Sequence, residues 1–253
     1  MGLSASNFLS DKAKRFIPGG TMTNSKMAER FPECYPKYIE RAEGPFVWDA
    51  DHNKYTDYIS GLGSIILGYR AIKFHNINLT SFPHSQEVKL AEMLCSIIPI
   101  ADKVKFFKTG SEAVSAAIKV CRAYTGRDKV ISCGYHGWHD WYTIQTERNK
   151  GIPKQYKDLV CRVPYNDLKE LEKELEGKQA ACFILEPVIY EEPKKDYLNQ
   201  VIDLCHKYGT LVVFDEMVTG FRLGLGGAMQ YFNVRPDLAC FGKAMANGYP
   251  MAC

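Results

Sequence analysis

The chain has 253 residues, of which 46% are hydrophobic and 24% charged, with a net charge of +3. A length of this order buries a sizeable core, and 12% aromatic residues exclude a disordered chain. No apolar run approaches the roughly 20 residues of a membrane span, and the charge is too small and dispersed for nucleic acid as the main partner.

The stretch Met1 to Phe16 has no long apolar centre and no cleavage site, so it does not read as a secretory signal. Nine cysteines (34, 95, 121, 133, 161, 182, 205, 240 and 253) form no CxxC pair, which argues against a zinc ribbon or a dithiol redox motif. Several lie in apolar runs, as Cys182 does within Ala180 to Leu185, and behave as small buried hydrophobes. A reducing, cytoplasmic setting is expected.

In chain order, Phe46–Asp49 and Asp51–Tyr58 predict a β-hairpin around a polar turn. A Gly-rich stretch from Gly61 to Gly68 leads into irregular sequence from Lys73 to His84, and a boundary is placed near residue 70. That division gives an N-terminal α+β segment over residues 1–69 and a large domain over 70–253. Helical spacing runs from Glu87 to Ile98 and stops at Pro99. Val104–Phe107 predicts a short strand, and Ser111–Tyr124 a helix closed by Gly126. Lys129–Cys133, Ala180–Leu185, Leu211–Phe214 and Leu238–Phe241 predict further strands. Between them fall a helix capped by Asp167 and another from Tyr197 to Tyr208, stopped by Gly209. Continuous apolar strands alternating with helices predict an α/β fold, a three-layer sandwich around a mostly parallel sheet. Ligands in such sheets bind beyond the carboxyl ends of the strands.

Four features sit at those ends. Lys108-Thr109-Gly110-Ser111-Glu112-Ala113 opens a helix, where backbone N–H groups and a hydroxyl face either an anion or only a cap. Gly134-Tyr135-His136-Gly137-Trp138-His139-Asp140-Trp141 offers a ring for stacking, a loop that packs on a neighbour, or two His and an Asp for a metal. Asp215-Glu216-Met217 ends a buried strand, where a carboxylate needs a positive or donating partner. Gly242-Lys243 follows another strand, where a lysine can form a Schiff base or merely reach solvent. Each alone reads more simply as structure. Together they are the contacts that pyridoxal phosphate (PLP) needs: a phosphate cup, a stacking aromatic, a carboxylate for the pyridine nitrogen, and a lysine for the aldehyde.

The chain also resembles the class III (ω-aminotransferase-like) PLP enzymes of fold type I, in the branch of glutamate-1-semialdehyde aminomutase. The likeness runs through Ile17–Gly20, Pro36–Gly44, Trp48-Asp49, Thr109–Ala113, Ala123–Asp128, Tyr135-His136-Gly137, Leu185–Val188, Phe214–Arg222, Pro236–Leu238 and Gly242-Lys243. It implies Lys243 as the Schiff-base lysine, Asp215 at the pyridine nitrogen, Met217 beneath the ring and Tyr135 above it. Gly110 and Ser111 would bind the phosphate, with His136 and Glu186 lining the pocket. The implied activity is amino transfer from a small donor to a small carbonyl or modified-sugar acceptor, in a homodimer. An aminomutase-type shift within one molecule is the nearest alternative.

Two departures accompany the likeness. Arg70–Asn78 is shorter than the family's usual His-Pro and helix, and Val188–Glu191 supplies no Gln or Asn for the cofactor's phenolic oxygen. The resemblance further implies a large domain that continues beyond Cys253. That leaves a non-catalytic PLP-binding remnant as one rival and a hydrolase with metal on His136, His139 and Asp140 as another.

Overall fold

The computed structural model describes residues 2–21, 24–71 and 85–253. The chain divides into two compact units, Met1–Ile77 and Asn78–Cys253. The irregular 73–84 stretch, and all of the shortened Arg70–Asn78 segment beyond residue 71, lie outside the described residues.

The first unit holds helix α1 (Ser4–Phe16), strands β1 (Ile39–Glu43), β2 (Phe46–Asp49) and β3 (Lys54–Thr56), and a short turn α2 (Ser60–Gly63). The three strands form an antiparallel sheet in chain order. The expected hairpin is β2–β3, and Asp49 builds its turn. That buried carboxylate accepts from the backbone of Asp51 (3.0 Å) and Asn53 (2.8 Å) and from the Tyr55 hydroxyl (2.8 Å).

The second unit contains α3 (Ser85–Ile97), α4 (Gly110–Thr125), β4 (Lys129–Cys133), α5 (Asp140–Thr143), β5 (Val160–Arg162), α6 (Leu168–Leu175), β6 (Ala180–Leu185), α7 (Tyr197–Lys207), β7 (Leu211–Asp215), α8 (Gly227–Tyr231) and β8 (Leu238–Cys240). Its five strands lie in the order β5-β4-β6-β7-β8, every pair parallel. All six residues of β6 are buried, as a central parallel strand requires. Phe183 and Leu185 pack into one apolar cluster with Leu171, Leu175, Val201 and Cys205 of α6 and α7. Cys182 and Ile184 pack into another with Val114, Ile118 and Cys121 of α4. The helices thus cover both faces, the three-layer α/β sandwich expected. Burying side chains of this size contributes about 1.5–3 kcal/mol each.

Helix ends follow the local sequence. Thr109 and Glu112 form a reciprocal capping box at the start of α4, and left-handed Gly126 closes it. Asp167 accepts from the Glu170 N–H at the start of α6. Val104–Phe107 departs from expectation: it is not a strand, and only Phe107 pairs, with Ala252, through two backbone hydrogen bonds of 2.7 and 2.8 Å. Its apolar side chains, half-buried, pack against the core without joining the ladder. Strand β8 stops at Cys240, one residue before the expected end.

Candidate active site

The carboxyl ends of β4, β6, β7 and β8 and the amino end of α4 bring the singled-out residues to one end of the sheet. Asp215 is the last residue of β7 and only 2% exposed. Its Oδ2 lies 2.7 Å from His136 Nδ1, and its Oδ1 accepts from the Met217 N–H at 3.1 Å. His136 Nε2 faces the Cys133 carbonyl at 3.1 Å, which fixes a hydrogen on that nitrogen and leaves Nδ1 to share a proton with Asp215. The imidazole stacks on Trp141 and meets Tyr142 edge-on, so the loop after β4 locks the ring in place.

Tyr135 precedes it and is 60% exposed. Its ring meets Tyr142 edge-on, and its backbone N–H donates to Glu186 Oε2 at 2.7 Å. Glu186 follows β6. Burial pushes its carboxyl above the usual range, as does the charge of Asp215, against the Tyr135 N–H and the charges of His136 and Lys243.

At the start of α4, the Glu112 carboxylate takes the N–H groups of Lys108 and Thr109. The N–H groups of Gly110 and Ser111 have no partner among the described residues. The Ser111 hydroxyl accepts only a long 3.4 Å bond from the Trp138 N–H. Met217 closes this corner. A Cβ on Gly110 would come within 2.7 Å of the Met217 sulfur, and one on Gly242 within 2.6 Å.

Lys243 follows β8 with φ of 45°, a left-handed conformation that costs a non-glycine residue about 1–2 kcal/mol. Such strain is held where the surroundings over-determine it, often at functional positions. Its ammonium makes no hydrogen bond or ion pair among the described residues, yet its charge reaches Glu186.

His136 is committed on both nitrogens, and His139 Nδ1 lies 2.7 Å from the Ser115 hydroxyl. Among the described residues no three His, Cys, Asp or Glu side chains gather to hold a metal.

Two partnerships were not foreseen. His136, expected to line the pocket, is the partner of Asp215. Ser115, one turn beyond Ser111 on α4, takes the Trp141 indole N–H at 3.1 Å as well as His139, tying the aromatic loop to the helix.

Residues 28–253 match the family Aminotransferase class-III. The chain belongs to the class III aminotransferase family. It is 36% identical over 274 residues to a glutamate-1-semialdehyde 2,1-aminomutase of Methanothrix thermoacetophila, covering 99% of this chain and 63% of the relative. It is 37% identical over 267 residues to a 3-aminobutyryl-CoA aminotransferase of Cloacimonas acidaminovorans, covering 99% of this chain and 64% of that protein. Among solved structures, the FumI protein of Sphingopyxis sp. MTA144, in its PLP internal aldimine form, superposes with a TM-score of 0.86 at 28% identity. That match covers 98% of this chain and 64% of the other. This class III chain therefore spans just under two thirds of the length of these relatives.

Proposed function

We propose that this chain binds PLP and serves amino transfer from a small donor to a small carbonyl acceptor. The observation that carries the reading is the Asp215–His136 pair at the sheet's carboxyl end, with unpartnered N–H groups and an uncommitted lysine around it. Each group suits one part of PLP. The Gly110 and Ser111 N–H groups, with the Ser111 hydroxyl, suit a phosphate, helped by the dipole of α4. The exposed Tyr135 ring suits one face of a heterocycle and Met217 the other. Glu186 lines the same pocket.

PLP, when bound, supplies an electron-accepting ring that lets an amino group and a proton leave and return at the carbon bearing the nitrogen. Asp215, oriented by His136, would hold a proton at the pyridine nitrogen. Lys243 Nζ would hold the cofactor at its aldehyde carbon, and the freed amine would serve as the base that moves the proton at the substrate carbon. Tyr135 and Met217 keep the ring plane fixed.

The names of the two relatives denote a semialdehyde and a 3-aminobutyryl-CoA thioester, whose amino-bearing carbon chains are acyclic. They favour an acyclic small carbonyl over a modified sugar. One is an aminomutase and the other an aminotransferase at near-equal identity, so either course of amino transfer is compatible with the likeness. A homodimer is part of the proposal, checked by sedimentation, and so is a cytoplasmic setting, which the nine cysteines without a CxxC pair favour. Among the described residues no helix is long and apolar enough to cross a membrane.

The test is borohydride reduction of the PLP-incubated chain followed by peptide mass mapping. A phosphopyridoxyl group on Lys243 is expected. A folded chain without that adduct overturns the reading. A PLP-binding chain without turnover is separated by adding amine donors: an unchanged visible spectrum identifies it.

A further inference from the structure

We infer that Glu216 is a positioning residue for this site, fixing the turn after β7 so that Asp215 and Met217 face the Gly242-Lys243 segment. The inference rests on the PLP reading above. Glu216 is fully buried and makes no ion pair among the described residues. Its Oε2 accepts from the Thr219 hydroxyl and from the Ala228 N–H at 2.9 Å, and its Oε1 from the Met229 N–H at 2.9 Å. Gly227, at φ of 71°, passes so close that a Cβ there would strike the carboxylate. The segment from Thr219 to Met229 is thus folded around one side chain.

The backbone of the same residue reaches the other way. Glu216 N–H donates to the Cys240 carbonyl at 2.9 Å, the last residue of β8, two before Gly242. Its own carbonyl accepts from the Gly220 N–H at 2.8 Å. Residue 216 therefore joins three parts of the site: the Asp215–Met217 corner, the strand end before Lys243, and the wrapped segment behind them. A carboxylate is a costly choice for a merely packed position, the more so beside the charge of Asp215. Three donors offset part of that cost, and they set its direction and, through the main chain, the direction of its two neighbours. Met217 depends on this most closely, since its N–H holds Asp215 Oδ1 while its sulfur sits between Gly110 and Gly242.

The test titrates PLP into the full chain and reads the visible absorbance, its pH midpoint and the thermal melt without PLP. Glu216→Gln keeps the shape but turns one acceptor into a donor, and Thr219→Val removes a single donor. Expected are folded variants with PLP dissociation constants raised about tenfold and about threefold respectively, and a displaced midpoint. Folded variants with the wild-type constant and midpoint overturn the inference, even if they melt lower, because the carboxylate is then only structural. If Glu216→Gln does not fold, Thr219→Val decides in the same two ways. A wild-type chain that binds no PLP overturns the functional reading and this inference with it. Wild-type binding beside unaltered variants overturns the inference alone.

Discussion

His136 and Asp215, 79 positions apart in the chain, meet at 2.7 Å between Nδ1 and Oδ2 with neither side chain reachable by solvent beyond 2%. Breaking such a buried pair from one side leaves an uncompensated charge. His136→Leu should therefore destabilise the fold by about 3–5 kcal/mol, measured by urea unfolding. The double variant with Asp215→Leu should lose less than the sum of the singles, with a coupling of at least about 1 kcal/mol. Additive losses would mean that the two side chains do not act as a pair.

A different corner separates stability from ligand binding. Gly110 opens α4, where an alanine is favoured over glycine by up to about 1 kcal/mol. A Cβ there, however, would meet the Met217 sulfur at 2.7 Å and push the thioether out of its seat. Gly110→Ala should melt no lower than wild type yet bind PLP about tenfold more weakly, a loss of ~1.4 kcal/mol. Adding Met217→Ala makes room for the methyl and should recover part of that loss. Undiminished binding in Gly110→Ala would show that Met217 does not border the cofactor.

How much of this could be seen in the residues alone depends on the range of the interaction. The six-residue run Ala180–Leu185 and the amphipathic stretches of α4 and α7 carry their structure in local pattern, and they formed where expected. Strand β5 has three residues at a sheet edge, and β1 reads Ile-Glu-Arg-Ala-Glu, so neither shows the apolar pattern of a strand. Val104–Phe107 shows that pattern without the pairing, because burial of side chains does not oblige a backbone to find a ladder. The acid at 215 was visible as a buried charge that needs a partner. Which partner it has depends on the path of the loop after β4, a matter of tertiary packing. The carboxylate at 216 stood beside it in the same motif, as did Thr219, but its other two donors open a five-residue helix that carries no apolar periodicity.

The β2–β3 turn gives an acid-sensitive element in the first unit. Burial alone would raise the Asp49 pKa, but the hydrogen bonds from Asn53, Tyr55 and Asp51 outweigh it and hold the carboxyl below its usual value. Burial, and then the bond to Asp49 and its charge, push the Tyr55 phenol up to about 12. A carboxyl with a depressed folded pKa contributes stability that is complete above the unfolded value, about 3.9, and is lost as pH falls through the folded one. Asp49→Asn should remove that acid-dependent loss. Hydrogen exchange at the amides of Asp51 and Asn53 should rise in wild type on acidification below about pH 4, relative to the intrinsic rate, and stay flat in the variant. Matching profiles would remove Asp49 as the turn's acid-labile support.

Glu186 has the opposite sign. Burial and the neighbouring Asp215 charge raise its pKa, so the ionised carboxyl costs folding free energy at neutral pH. Below the unfolded value of about 4.3 both states are protonated and that cost vanishes. Above the raised folded value it is present in full. Wild type should therefore gain stability relative to Glu186→Gln as pH falls from neutral towards about 4.3, and the variant should melt no lower than wild type at neutral pH. The glutamine keeps a carbonyl for the Tyr135 N–H, so the loop after β4 retains its anchor while the charge beside Lys243 is removed. Melting curves of both proteins across that pH range decide the matter. A difference that does not change with pH would mean that the Glu186 carboxyl is solvated, and that the strand end carries Asp215 and Lys243 without a second buried acid.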